Sequence, residues 1–268
     1  MLDQKESLVS TLRQAAEEIV SMLKTAYAPY TIRPTNEKAF SHLDLAGYRQ
    51  FRQAMEADGY RFLSDLEIVE LNTSPANVLV PTMIRSMVST DGETSAGYYQ
   101  VRYKVPWLLL NLVVGIVVLR FIWAPRAFLQ SLRTKHCYDF ESELGGSYVA
   151  TTNAADAAPM SLPSSVDSKF FDYGTRLSEV RRAHEERLAA AVRRAGASVR
   201  PTKMSSLEDV RAMQARLKQV KDAHRAASNW ITQRELQTIA GGDTALAAAV
   251  FAEVQKVLAE TRVAPADA

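Results

Sequence analysis

The sequence is poor in the residues that mark specialised chains. It holds one cysteine, Cys137, which excludes a disulfide scaffold. Its 11 glycines exclude a collagen-like repeat. Neither sign of charge dominates: 32 basic and 30 acidic residues leave a net charge of +2, so nucleic acid is not expected as a partner. No GxxxxGK[ST] or GxGxxG run supports nucleotide binding, and no cofactor is expected. The four histidines, His42, His136, His184 and His224, fall in no GxSxG, HExxH or CxxC context. The first residues, MLDQKESLVSTLRQ, lack the apolar core of a secretory signal. With one cysteine, this predicts a reducing compartment: the cytoplasmic side, with attachment to the inner membrane if the apolar segment described below meets lipid.

What is present is the profile of a folded globular protein, 47% hydrophobic and 23% charged over 268 residues. The charge is unevenly spread. Residues 1–173 carry a net −3, and residues 174–262 a net +6. The basic C-terminal third could touch phosphates, acidic lipid heads or an acidic partner, but a set of solvated helix faces is the simpler reading.

Local patterns predict an α+β fold. Leu8, Leu12, Ala15, Ile19 and Leu23 give residues 4–27 a helical stripe. Asp44 and Gly59 bracket a second helix. Two hairpins follow, with turns at Asp91-Gly92 and Gly145-Gly146. The first turn sets Ile84 opposite Tyr99 and Val88 opposite Ser95. It yields an apolar face with Val80, Val101, Tyr103 and Val105, and a wetter face with Arg85, Tyr98, Gln100, Arg102 and Lys104. The second puts Phe140, Leu144 and Val149 on one face and Asp139, Glu141 and Glu143 on the other. An antiparallel sheet of about five strands is expected, from 61–71, 78–90, 94–105, 138–144 and 147–153, with the N-terminal helices on one face. Stripes through Leu177, Val180, His184 and Leu188 and through Val210, Met213, Leu217 and Val220 predict an αα-hairpin, its second helix capped by Ser205 with Glu208. One further helix spans 244–261. The expected division is an α+β domain over 1–173 and a helical region over 174–268.

One segment stands apart. From Trp107 to Trp123 only Asn111, Gly115 and Arg120 are not hydrophobic, and prolines bound the run. A tryptophan at each end suits a membrane interface, and lipid contact is expected at Trp107, Leu110, Val114, Val118 and Trp123. As a helix the run is about 25 Å long, the short limit for a bilayer core. Three readings compete: a membrane span, a segment lying in the interface or dipping into one leaflet, and a buried core element. If both hairpins share one sheet, the two ends of the segment lie on one side of any membrane, which disfavours a single span.

Catalytic constellations are not legible. His136 and Cys137 are strand neighbours pointing to opposite faces, so they make no nucleophile–base pair. Asp139, Glu141 and Glu143 could converge on a hard cation, but such a row is ordinarily the wet face of a sheet. An enzyme using that row with a metal ranks last. The leading expectation is a non-enzymatic, membrane-associated interaction protein. The alternative is a soluble cytoplasmic binding module with 107–123 in its core. The order FLSDLEIVELN, DGETSAGYYQV, YDFESELGGSYVATTNAADAAP and RRAHEERL resembles a loosely defined group of uncharacterised bacterial α+β proteins. The resemblance implies a bacterial, cytoplasm-facing protein and no particular activity.

Overall fold

The computed structural model describes residues 2–27, 29–74, 77, 79–104, 133–154, 160–196, 198–239 and 242–263. These form α1 (Leu2–Tyr27), β1 (Ile32–Thr35), a 3-10 turn (Glu37–Phe40), α2 (Leu45–Ala57), β2 (Tyr60–Ile68) and α3 (Val69–Thr73). Next come β3 (Ile84–Ser89), β4 (Ser95–Val101), β5 (Lys135–Leu144), β6 (Ser147–Thr152) and β7 (Val166–Phe170). Helices α4 (Leu177–Ala195), α5 (Leu207–Ala227), α6 (Gln233–Ile239) and α7 (Thr244–Val263) complete the chain. The fold is α+β, as expected, but the sheet has seven strands rather than five. They lie in sequence order, antiparallel except for the parallel pair β6–β7.

Both added strands are edges. β1 contains Pro34, which donates no ladder hydrogen bond and is tolerated at an edge. β7 buries only Val166. The hairpin registers are those anticipated: Ile84 opposes Tyr99, Val88 opposes Ser95, and Glu141 opposes Ala150. Gly145 and Gly146 both hold positive φ, 58° and 82°, as a two-residue type I′ turn requires. The Asp91-Gly92 connection keeps the register but is a longer loop than the two residues expected, since strand pairing stops at Val88–Ser95.

Two compact units are present. One comprises 30–155 and 164–215 and contains the sheet. Its aromatic core, Phe40, Tyr48, Phe51, Tyr98 and Phe140 with Met55, Met83 and Met87, fills the space between α2, α4 and the sheet. For the first hairpin that covered face is the one expected to be wetter; for the second it is the face expected to be apolar, with Phe140, Leu144 and Val149 buried. Arg85, Tyr98 and Gln100 are each at most 4% exposed there, because α2 and α4 roof them and every polar end finds a partner. On the opposite face Gln214 of α5 donates to Glu141, and Met204 N–H donates to Gly92 O at 2.8 Å. The stripe of α4 is seated on β5 and β6, not on α5, so the expected αα-hairpin is replaced by helix-on-sheet packing.

The other unit comprises 1–29, 156–163 and 216–268. Here Ala16, Val20 and Leu23 of α1 pack with Ala247, Val254, Val257 and Leu258 of α7. Arg13 Nη2 lies 2.6 Å from Glu260 Oε2 across the same pair. The N-terminal helix packs against the last helix; of the two N-terminal helices expected on the sheet, α2 is the one seated there. Helix α6 begins with a capping box: Thr232 Oγ1 accepts from Glu235 N–H at 3.3 Å, and Glu235 Oε2 accepts from Thr232 N–H at 2.7 Å. The cap of α5 sits one residue later than expected. Ser206 Oγ accepts from Asp209 N–H at 3.2 Å, and Asp209 Oδ2 accepts from Ser205 N–H at 2.7 Å.

Candidate functional site

The sheet presents one distinctive rim. Val101, the last residue of β4, is the Cα partner of Lys135, the first of β5, and Gln100 is the partner of His136. The chain therefore leaves the sheet after β4 and returns to the adjacent position in β5. Beyond Val101, Tyr103 forms an antiparallel bridge with Leu79, and Val80 N–H donates to Arg102 O at 2.8 Å. Lys104 Nζ donates to Asn77 O at 2.6 Å. Lys135 Nζ stands 4.4 Å from the ring centroid of Tyr173 and 6.0 Å from that of Tyr103, a cation–π arrangement. Arg102 and Arg133 are exposed on either side. The rim is thus basic and tyrosine-rich.

Beneath it lies a rigid floor. The rings of Tyr98 and Phe51 stack at 5.2 Å, and those of Tyr98 and His136 at 6.0 Å. Tyr98 Oη lies 2.5 Å from His136 Nδ1 and accepts from Gln100 Nε2 at 3.1 Å. Burial pushes the Tyr98 phenol well above its ordinary value, so it stays protonated. Gln100 also donates to Asp44 O at 2.8 Å and accepts from Asp44 N–H at 3.0 Å, fixing the start of α2, which Asp44 caps. These side chains satisfy one another and stiffen the rim.

Two other polar groupings have the ingredients of a site but are spent on structure. A cleft of about 610 Å³ between α2 and β2 is lined by Arg49, Arg52 and Arg85 and by Glu37, Glu56 and Asp65. Each cation already has an anion: Arg85 pairs with Asp65 through two contacts of 2.7 Å, Arg52 with Glu56 at 2.7 Å, and Arg49 with Glu37 at 3.4 Å. His184, fully buried, has Nε2 at 3.0 Å from Ser142 Oγ and Nδ1 at 3.1 Å from Thr151 Oγ1. Both ring nitrogens face hydroxyls, and burial, aided by the Arg187 charge, lowers its pKa to about 3. A ring so hard to protonate and closed to solvent is a poor proton acceptor at neutral pH.

The remaining sequence candidates are separated. Glu141 accepts from Gln214, Glu143 accepts from Tyr148 Oη at 3.3 Å, and Asp139 bonds with the Tyr99 hydroxyl. Each member of the acidic row is thus engaged separately. Among the described residues no group of three or more His, Cys, Asp or Glu could hold a metal ion. His42 meets Pro81 O at 2.8 Å, His224 meets Ser161 Oγ at 3.3 Å, and Cys137 is buried. Trp107, Leu110, Val114, Val118 and Trp123, the expected lipid contacts, lie outside the described residues. Among the described residues no helix is long and apolar enough to cross a membrane. Tyr173 was missed in the sequence because only the β6–β7 crossover brings it to Lys135. No family model, curated protein or solved structure matches the chain.

Proposed function

We propose that the protein is a non-enzymatic, membrane-associated interaction protein that contacts one leaflet through 107–123 and offers its basic C-terminal helices to a protein partner. The observation that carries this reading is the pairing of Val101 with Lys135. Adjacent ladder positions keep both ends of the intervening chain on one side of a bilayer, so a segment entering lipid there must also leave by the same side. The apolar composition of 107–123 supplies the driving force. Its twelve Leu, Ile, Val and Phe contribute about −4 to −7 kcal/mol on an insertion scale, partly offset by Asn111 and Arg120. The exposed arginines of α4, among them Arg182 and Arg194 at 71% and 70% side-chain exposure, supply charge for an acidic partner surface.

Membrane fractionation with a carbonate wash tests the reading. The full chain should stay with the membrane pellet. Quantitative release into the supernatant would instead favour the soluble module with 107–123 in its core.

A further inference from the structure

The apolar run explains attraction to hydrocarbon but not to any particular headgroup. We infer that the rim around Val101 and Lys135 recognises the phosphate of anionic phospholipids, and that this charge recognition sets which bilayers the protein binds. The inference rests on the lipid-contact reading above and names its partner.

Three observations carry it. First, residues 94–138 contain Arg102, Lys104, Arg120, Arg126, Arg133 and Lys135 and no Asp or Glu, in a chain whose two signs are otherwise nearly balanced. Second, the fold gathers four of these six cations at one place, because β4 ends and β5 begins side by side: Arg102 and Lys104 follow one strand, and Arg133 and Lys135 open the other. Third, Tyr103 and Tyr173 flank Lys135 within 6.0 Å and 4.4 Å of its ammonium. Tyrosine beside lysine suits the headgroup layer, where an amphipathic ring sits at the water boundary and a cation meets phosphate. Asp139 bonds with Tyr99 on the sheet face, and Asp172 is a single exposed acid beside Tyr173.

A bilayer suits this rim better than a free anion. The cations lie two on each of the neighbouring strand ends, Arg102 and Lys104 after β4 and Arg133 and Lys135 at the start of β5, with Lys104 and Lys135 held by Asn77 O and the tyrosine rings. Charges spread along a rim suit a surface of phosphates.

The test is sedimentation of the full chain with vesicles of phosphatidylcholine alone and with vesicles carrying about one third phosphatidylglycerol, at low and high salt. Binding should be at least tenfold stronger to the anionic vesicles, and the excess should vanish in high salt. Changing Arg102→Gln with Arg133→Gln, both exposed, should cut anionic binding roughly tenfold and leave neutral binding unchanged. Arg102→Lys with Arg133→Lys should restore it, and circular dichroism should show all forms equally folded. Equal binding to both vesicle types, or an Arg→Gln pair that binds like wild type, overturns the headgroup inference while leaving lipid contact intact. Binding to neither vesicle overturns the lipid reading itself.

Discussion

Val101 and Lys135 face each other across the β4–β5 ladder, with residues 102–134 between them in the chain. The pairing brings the two ends of that stretch of chain to neighbouring ladder positions. The same ladder places Gln100 opposite His136, so the rim is anchored to the aromatic floor through Tyr98.

The buried pair Arg85–Asp65 should respond asymmetrically to mutation. Asp65→Ala leaves the Arg85 guanidinium, 5% exposed, without its bidentate partner, and should cost about 3–5 kcal/mol in chemical denaturation. The double change Arg85→Met with Asp65→Leu should cost less than Asp65→Ala alone. A double variant less stable than either single variant would contradict this account of the pair.

Two glycines with similar φ should separate strain from collision. Gly92 has φ 77°, and a Cβ there would lie 2.9 Å from Met204 O. Gly146 has φ 82° and open space around it. Gly146→Ala should cost about 1 kcal/mol from φ alone, and Gly92→Ala about 1–2 kcal/mol more, because backbone must move. Equal losses in thermal melts would remove the close approach of the 201–206 segment from the explanation.

Stability should fall on acidification partly through His184. Its folded pKa of about 3 lies below the ordinary 6.5, so between those values the unfolded chain binds a proton that the folded chain does not. This contribution is fully present above about pH 6.5 and declines as pH drops toward 3. His184→Gln should flatten the slope of unfolding free energy between pH 6 and 4 by about 1 kcal/mol per pH unit. A slope identical to wild type would show that another group titrates.

The α5 seam should be a structural seam. Leu217 is 1% exposed, and Leu217→Ala should cost roughly 2–4 kcal/mol in urea unfolding. A loss under 0.5 kcal/mol would point to a site that collapses around the smaller side chain.

Much of the sheet was legible because turn chemistry fixes register: counting outward from Asp91-Gly92 pairs Ile84 with Tyr99, and counting outward from Gly145-Gly146 pairs Glu141 with Ala150. What the pattern could not convey was coverage of both faces. Arg85, Tyr98 and Gln100 read as wet because they are polar. They are buried because Asp65, His136 and the Asp44 backbone complete their hydrogen bonds, partners far away in sequence. β7 escaped notice because a five-residue edge strand with one buried side chain carries no periodic signal. At the rim, Lys104, Arg133 and Lys135 stand in the sequence on either side of the apolar run. Their assembly with Tyr103 and Tyr173 came only from the β4–β5 pairing and the parallel β6–β7 crossover.

The central claim is that 107–123 contacts lipid while the sheet folds independently of it. Liposome flotation of Val114→Asp with Val118→Asp, read together with its thermal melt, tests this most directly. The account predicts a variant with a wild-type melting temperature that stays at the bottom of the gradient while wild type floats. A variant that unfolds instead, as two charges buried in a protein core would require, contradicts it.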